Sequence, residues 1–171
     1  MRCILILRHA EAVAHSPGGD LERELSTRGR VECGKVGHYI ARNGLFPDLA
    51  VVSPSARTRE TFDLVQQTWT SPVQQSVRKG LYNAEVADIV AELRQVQSDV
   101  HTLLYVGHNP GIAEFANLMV ARGQAGLRDE LAHGMPTASL AVLDLDIEDW
   151  VDLSLHSARL VSFVTPDKMA L

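Results

Sequence analysis

The amino-acid sequence predicts an α/β fold: a doubly wound, mostly parallel sheet with helices on both faces. Three continuous apolar runs, at residues 3–7, 49–52 and 103–106, have the length and composition of strands that are buried on both faces. Segments with helical spacing of apolar residues lie between and after these runs. This alternation is typical of doubly wound sheets, in which right-handed connections join the parallel strands.

Four helices are predicted from apolar residues that recur every three or four positions. Ser26 is a suitable N-cap for the first helix, and Gly44 is a suitable residue just past its end. Asn109 and Pro110 are the expected N-cap and first residue of the last of these helices. The stripes expected to pack on the sheet are Cys33, Val36, Gly37 and Ile40; Thr58, Phe62, Val65 and Trp69; Val86, Ile89, Val90 and Leu93; and Ile112, Phe115, Ala116 and Met119.

Toward the carboxyl end, residues 139–145 and 151–155 have the composition of two strands joined by an acidic turn. This pattern predicts an antiparallel edge of the sheet. With 171 residues and 46% apolar content, the chain is long enough for one core and short for two. Residues 1–171 are therefore expected to form a single domain without a large cap.

Composition and charge argue against several classes of protein. The net charge is −5 and the Lys and Arg residues are scattered, so no broad surface for nucleic acid or anionic lipid is expected. The apolar run at the amino terminus is too short for a signal peptide, and no segment is long enough to span a bilayer. Cys3 and Cys33 are isolated, unlike the cysteines of a secreted disulfide framework. These features predict a cytoplasmic protein.

Cationic and ionisable residues follow each of the three predicted central strands. Arg8 and His9 follow the first strand, Arg57 comes soon after the second, and His108 comes directly after the third. Ligands of doubly wound sheets bind beyond the carboxyl ends of the strands, so these side chains should share one crevice. Arginine suits the oxygens of a phosphoryl dianion, and its charge can replace the magnesium that often assists phosphoryl transfer. No metal or other cofactor is therefore expected.

Four sequence motifs surround these residues: Leu-Arg-His-Ala-Glu-Ala at 7–12, Leu-Ser-Thr-Arg-Gly at 25–29, Ser-Pro-Ser-Ala-Arg at 53–57 with Thr61, and Val-Gly-His-Asn-Pro-Gly at 106–111. Together they resemble the histidine phosphatase superfamily and, within it, the small SixA-like phosphohistidine phosphatases. The resemblance implies that His9 is the catalytic nucleophile and that His108 completes the catalytic site. It also implies that Arg8 and Arg57 hold the phosphoryl oxygens. The chain departs from the superfamily's usual Arg-His-Gly motif by having alanine after His9.

The general acid and one of the arginines each have two candidates. Relatives that cleave phosphate esters use a carboxylate as general acid, and Glu85 and Glu11 both remain candidates for it. Arg59 competes with Arg57, which is preferred because it occupies the motif position in the first helical turn. A phosphoramidate leaving group is a nitrogen base that needs less help from a protein acid, which favours phosphohistidine as the substrate.

The sequence therefore predicts a metal-independent phosphatase that forms a phosphohistidine intermediate on His9 and dephosphorylates phosphohistidine in a partner protein. Without a large cap, the pocket should be open to a partner's side chain. One alternative keeps the same site but assigns a small phosphomonoester or sugar phosphate as the substrate, with Glu85 as the acid. Another is a binding module for phosphorylated ligands that has lost turnover.

Overall fold

A computed structural model describes residues 1–170 and confirms the predicted α/β fold. The strands are β1 (Arg2–Arg8), β2 (Leu49–Val52), β3 (Gln74–Val77), β4 (Thr102–Gly107), β5 (Val120–Gly123), β6 (Leu140–Leu145) and β7 (Ala158–Val164). The helices are α1 (Thr27–Arg42), α2 (Ala56–Gln66), α3 (Val86–Leu93), α4 (Gly111–Met119) and α5 (Ala125–Ala132). All seven strands form one sheet in the order β3-β2-β4-β1-β6-β7-β5.

The three predicted central strands are parallel neighbours, with β4 between β1 and β2. Alternate side chains of β1 enter two different hydrophobic cores because successive residues of a strand point to opposite faces. Ile4 and Ile6 belong to one core, whereas Leu5 and Leu7 belong to the other, and all four are inaccessible to solvent. This burial on both faces explains why the strand is a continuous apolar run.

Helices cover both faces of the sheet. Val36 of α1 and Phe62 of α2 pack into the core that contains Leu5 and Leu7. Ile89 of α3, Phe115 of α4 and Leu131 of α5 pack into the opposite core. The predicted doubly wound arrangement is thus confirmed, with α1 and α2 on one face and the later helices on the other.

Both predicted ends of α1 are confirmed. The Ser26 hydroxyl accepts a hydrogen bond from the backbone N–H of Gly29 at 3.1 Å, as expected of an N-cap. Gly44 follows the helix with φ +64°, a left-handed conformation that favours glycine. The helix therefore starts and stops where its sequence provides local hydrogen-bonding and conformational signals.

The predicted start of α4 is wrong by one residue. Pro110 occupies the N-cap position and the helix begins at Gly111. The Asn109 amide does not cap the helix but donates to the Met135 carbonyl at 3.0 Å. A Cβ at residue 111 would stand 2.1 Å from the Ala84 carbonyl oxygen, so only glycine lets the loop before α3 pack on the start of α4.

The predicted strand at residues 151–155 is also wrong. Residues Trp150–Asp152 form a short 3-10 turn, and the strand comes later, at β7. The buried Trp150 indole donates to the Val100 carbonyl at 2.7 Å, which anchors the turn to the body of the protein. The alternating sequence here resembles a strand, but the tertiary position of Trp150 determines the local conformation.

The antiparallel part of the sheet is internal and not at an edge as predicted. The predicted strand at 139–145 is confirmed as β6, which lies between β1 and β7 and is antiparallel to both. The edge beyond β7 is formed by β5, which is parallel to β7.

Within residues 1–170, no helix has both the length and the apolar character required to cross a membrane.

Candidate active site

The structure brings the four predicted site residues together at the carboxyl ends of the central strands. Arg8 is the last residue of β1 and His9 follows it, while His108 follows β4. Arg57 lies in the first turn of α2, directly after β2. The ring centroids of His9 and His108 are 5.5 Å apart, and the charges of both arginines act on both histidines. Parallel pairing thus assembles a cationic pocket from three separate loops.

His9 is held in a tautomer that suits nucleophilic attack. Its Nδ1 lies 2.7 Å from the Ala10 carbonyl oxygen. Because a carbonyl can only accept a hydrogen bond, Nδ1 carries the proton and the lone pair is on Nε2. The backbone of His9 is fixed on both sides: its N–H donates to the Gly107 carbonyl, and its carbonyl accepts from Ala138 N–H. Local backbone structure therefore selects both the tautomer and the position of the ring.

His108 has one ring nitrogen bonded and the other unpartnered. Its Nε2 and the Ser53 hydroxyl oxygen are 2.6 Å apart in a hydrogen bond. Its Nδ1 is buried and has no hydrogen-bond partner within residues 1–170. The Tyr82 ring packs edge-on against the imidazole, with centroids 5.8 Å apart. His108 is thus firmly oriented while one polar atom remains available for a ligand.

Arg8 combines a structural hydrogen bond with an unpartnered nitrogen. Its Nη1 donates to the Met135 carbonyl at 2.9 Å, which fixes the guanidinium. Its Nε is buried and, like His108 Nδ1, has no partner among the described residues. Buried polar atoms are nearly always hydrogen-bonded, so two such atoms in one pocket indicate a site for an oxyanion. Arg8 offers the charge-assisted hydrogen bonds that such a ligand requires.

The structure places Arg57 in this pocket and Arg59 outside it. Arg57 is 5% exposed, and its Nη1 donates to the backbone carbonyl of Asp20 at 2.8 Å. Its Nη2 donates to the Asp20 carboxylate at 3.2 Å. Arg59 is exposed and its Nε donates to the Pro54 carbonyl at 3.0 Å. Arg57 and Arg59 therefore lie two positions apart on α2, but the first side chain is buried in the pocket and the second is exposed to solvent.

Both histidines are neutral in the free protein at neutral pH. Burial, reinforced by the charges of Arg8 and Arg57, lowers the pKa of His9 to about 4. Burial and the charge of Arg57 lower the pKa of His108 to about 3. A bound dianion would favour the protonated imidazoles and raise both pKa values. In the free site, His9 is therefore neutral and can act as a nucleophile. In the site with a bound dianion, His108 can be protonated and can donate a proton.

These pKa values make the stability of the protein sensitive to mild acid. An unfolded histidine has a pKa near 6.5, so below that pH the unfolded chain binds protons that folded His9 and His108 do not. The free energy of unfolding should therefore fall as the pH falls from 6.5 to 4.5, and His108→Gln should reduce this slope by about one proton. Denaturant unfolding at several pH values measures the slope.

The exposed His38 on α1 provides the matched control, and His38→Gln should leave the slope unchanged. Sulfate stays a dianion throughout this range, so saturating sulfate should flatten the slope for the wild type. A slope that is the same in His108→Gln and the wild type would contradict a neutral, buried His108.

The two candidate carboxylates have different surroundings. The Glu11 carboxylate accepts from the Ser26 hydroxyl at 3.0 Å, which ties it to the start of α1. Glu85 is the N-cap of α3, and its backbone N–H donates to the Asp88 carboxylate at 3.1 Å. Glu85 also lines a groove of about 550 Å³ that His108 lines as well. The structure thus favours Glu85 over Glu11 as the carboxylate near a leaving group.

Asp20 and Tyr82 are site residues that the sequence reasoning missed. The Tyr82 hydroxyl donates to the Asp20 carboxylate, which also accepts from Arg57. Asp20 begins a short 3-10 turn (Asp20–Glu22) in the connection between β1 and α1, whose sequence has no helical or strand periodicity, so no sequence signal marked it.

Comparison with known proteins relates this geometry to a family. The model of the histidine phosphatase superfamily (branch 1) matches residues 4–89, which contain His9 and both pocket arginines. The structure is similar to that of a Nakamurella multipartitia protein provisionally assigned as the phosphohistidine phosphatase SixA, with TM-score 0.82, 31% identity and 96% of each chain covered.

Two further structures extend the comparison. A protein of Agrobacterium tumefaciens, also provisionally assigned as SixA, has TM-score 0.80 and 28% identity over 96% of this chain and 98% of its own. The mycobacterial glucosyl-3-phosphoglycerate phosphatase shares the fold, with TM-score 0.64 and 18% identity over 94% of this chain and 97% of its own. Family model, fold and sequence identity agree, and the chain belongs to the histidine phosphatase superfamily.

Proposed function

We propose that this chain is a cytoplasmic, metal-independent phosphatase that removes the phosphoryl group from phosphohistidine in a partner protein. One observation carries the proposal. The unprotonated Nε2 of His9 shares a cationic pocket with two buried atoms that have no partner among the described residues, Arg8 Nε and His108 Nδ1. A nucleophile and unsatisfied binding atoms in one place fit the transfer of a phosphoryl group.

In the first step, His9 Nε2 attacks phosphorus in line with the leaving group. The bond from phosphorus to the substrate nitrogen breaks as the bond to Nε2 forms. Arg8 and Arg57 bind the phosphoryl oxygens and stabilise their charge, the role that a metal has in many phosphotransferases. Burial keeps His9 neutral and therefore nucleophilic until the dianion is bound.

In the second step, water attacks the phosphohistidine and releases phosphate. The bond from phosphorus to Nε2 breaks, one water proton passes to the phosphate, and His9 returns to its starting tautomer. His108 is suited to assist because the bound phosphoryl group raises its pKa and allows its Nδ1 to donate a hydrogen bond. Splitting the reaction in this way replaces one hard step by two easier ones.

The identity of the leaving group is supported by the partners of the two histidines: within residues 1–170, no carboxylate is hydrogen-bonded to His9 or His108. A phosphoimidazole that is protonated on its other ring nitrogen leaves as neutral imidazole and needs no proton from the protein. Glu11 is held by Ser26, and none of its hydrogen bonds reaches His9 or His108. The SixA assignments of the solved relatives with 31% and 28% identity agree with this choice.

The groove beside His108 favours a second candidate, a phosphatase for a small phosphomonoester. Its volume of about 550 Å³ can hold an organic leaving group, and Glu85 on its wall is a carboxylate that can protonate an alkoxide. The fold neighbour that acts on glucosyl-3-phosphoglycerate shows that this architecture also serves sugar phosphates. Under this alternative, Glu85 would have a catalytic role.

Substrate preference distinguishes the two candidates. If the protein is a phosphohistidine phosphatase, we expect kcat/KM for a phosphohistidine peptide to exceed that for the same peptide carrying phosphoserine by about 100-fold, because the alkyl ester needs a general acid and phosphohistidine does not. Phosphate release should be measured with chelator present, for both peptides and for p-nitrophenyl phosphate. Glu85→Gln should leave phosphohistidine turnover within about twofold of wild type.

Other results would redirect the assignment. Preference for an ester, together with its loss in Glu85→Gln, would establish the phosphomonoesterase instead. Turnover that chelator abolishes would contradict the metal-independent mechanism. If the protein bound phosphate but showed no His9-dependent turnover of any substrate, the remaining candidate would be a binding module for phosphorylated ligands.

A further inference from the structure

The Asp20 carboxylate is a half-exposed negative charge fixed beside the buried Arg57. One of its oxygens, Oδ2, accepts from Arg57 Nη2 at 3.2 Å and from the Tyr82 hydroxyl. The other, Oδ1, accepts from Arg23 Nη1 at 2.9 Å. Hydrogen bonds from Tyr82 and Arg23, with the charge of Arg57, hold the pKa of Asp20 well below its usual range. Asp20 is therefore ionised and is not a proton donor.

The pocket has a largely buried cationic floor, which contains Arg8 and Arg57, and a more exposed rim, which contains Asp20 and Arg23. The Arg57 side chain is 6% exposed, whereas that of Asp20 is 49% exposed. Residue 20 accepts from both terminal nitrogens of Arg57, one through its backbone and one through its carboxylate. A phosphoryl group bound by Arg57 therefore lies close to this carboxylate, and so does its leaving group.

The rim offers little positive charge to offset a second anion. Arg23 is the cation bonded to the other oxygen of Asp20, and its side chain also donates to the Val13 carbonyl. Glu22 and Glu24, which flank Arg23, add negative charge to the same exposed loop. A ligand with only a phosphoryl group meets the arginines of the floor, but an additional carboxylate meets a negative rim.

We propose that Asp20 is a specificity-determining residue: its carboxylate, fixed on Arg57, favours phosphoryl groups on neutral or cationic carriers and disfavours substrates with a second anionic group. This inference rests on the proposed function, since it concerns the substrate of the same site. It fits phosphohistidine, whose imidazole leaving group is neutral or positively charged. It also predicts that acidic sugar phosphates are poor ligands.

A matched pair of ligands tests the inference without requiring turnover. Glycerol 3-phosphate and 3-phosphoglycerate are similar in size, but only the second has a carboxylate. We expect wild type to bind glycerol 3-phosphate more tightly, and Asp20→Asn to reduce the ratio of the two dissociation constants roughly tenfold, from the loss of one charge repulsion. Calorimetric titration of each ligand into each protein gives the ratio.

Two control variants distinguish the effect of the negative charge at residue 20 from structural effects of the substitution. Asp20→Glu restores the charge and should move the ratio back toward that of wild type. Asp146→Asn removes an exposed carboxylate just after β6, at the opposite end of the sheet, and should leave the ratio unchanged. If Asp20→Asn failed to fold, higher ionic strength should still narrow the wild-type ratio, because exposed charges are screened by salt.

Different experimental outcomes would contradict the role of Asp20 and the proposed phosphatase function. An equal ratio in wild type and Asp20→Asn, with no effect of salt, would overturn the role of Asp20 whatever the enzyme hydrolyses. Absence of turnover that depends on His9 would overturn the phosphatase proposal, while a changed ratio would still show charge selection at Asp20.

Discussion

His9→Ala is expected to abolish turnover, with kcat lower by on the order of 10⁴-fold or more, as for other enzymes that lose a covalent nucleophile. The reason is that Nε2 of His9 carries the lone pair that attacks phosphorus in the proposed cycle, and alanine removes it. The loss should be in kcat, because Arg8 and Arg57 remain to bind the phosphoryl group. Steady-state kinetics on a phosphohistidine peptide measures it.

Trapping of the intermediate gives an independent measurement of the same prediction. Wild type quenched during turnover of labelled substrate should carry label that is stable in alkali and lost in acid, as expected of a phosphoramidate. His9→Ala should carry none, and the surface variant His38→Ala should behave as wild type. Label or rapid turnover retained in His9→Ala would exclude His9 as the nucleophile.

The location of the site was predictable because it follows from the burial of the strands. β1 and β4 are buried on both faces, so their apolar runs are visible in the sequence, and the ends of those runs mark His9 and His108. Once the strands are parallel neighbours, their carboxyl ends must converge. Local patterns thus determined where the pocket lies and which side chains form its floor.

The rim of the pocket was not predictable because it depends on the path of two loops. Asp20 and Tyr82 are separated by 62 positions, and neither belongs to a helical or alternating pattern. Their contact is set by where each loop passes relative to Arg57. A polar residue in an aperiodic loop has no sequence signal that distinguishes such a role from exposure to solvent.

The errors near the carboxyl end have a similar cause. The sequence at residues 151–155 alternates like a strand, but burial of the neighbouring Trp150 imposes a turn there.

Strand β3, in the middle of the chain, was not predicted. It lies at the edge of the sheet and has the polar sequence Gln-Gln-Ser-Val, so it lacks the apolar pattern that revealed the central strands. Edge strands and anchored turns depend on tertiary contacts more than on local pattern.

Arg57→Ala is expected to lower kcat/KM by about 10³-fold, the scale of losing an arginine that stabilises a transferring phosphoryl group. The side chain is almost fully buried in the pocket, where water cannot replace its charge or its hydrogen bonds. Arg59→Ala removes the same type of side chain from the exposed side of α2 and should change kcat/KM by less than about twofold. Kinetics of the two variants on one phosphohistidine peptide makes the comparison.

Arg57→Lys separates charge from geometry at this position. Lysine keeps the positive charge but offers a point charge in place of the planar fork of guanidinium donors. It also cannot easily bond both the carbonyl and the carboxylate of Asp20 while it contacts the ligand. We therefore expect Arg57→Lys to recover only a small part of the lost activity. Equal losses in Arg57→Ala and Arg59→Ala would show that the phosphoryl group is bound elsewhere, whereas full recovery with lysine would show that charge alone suffices.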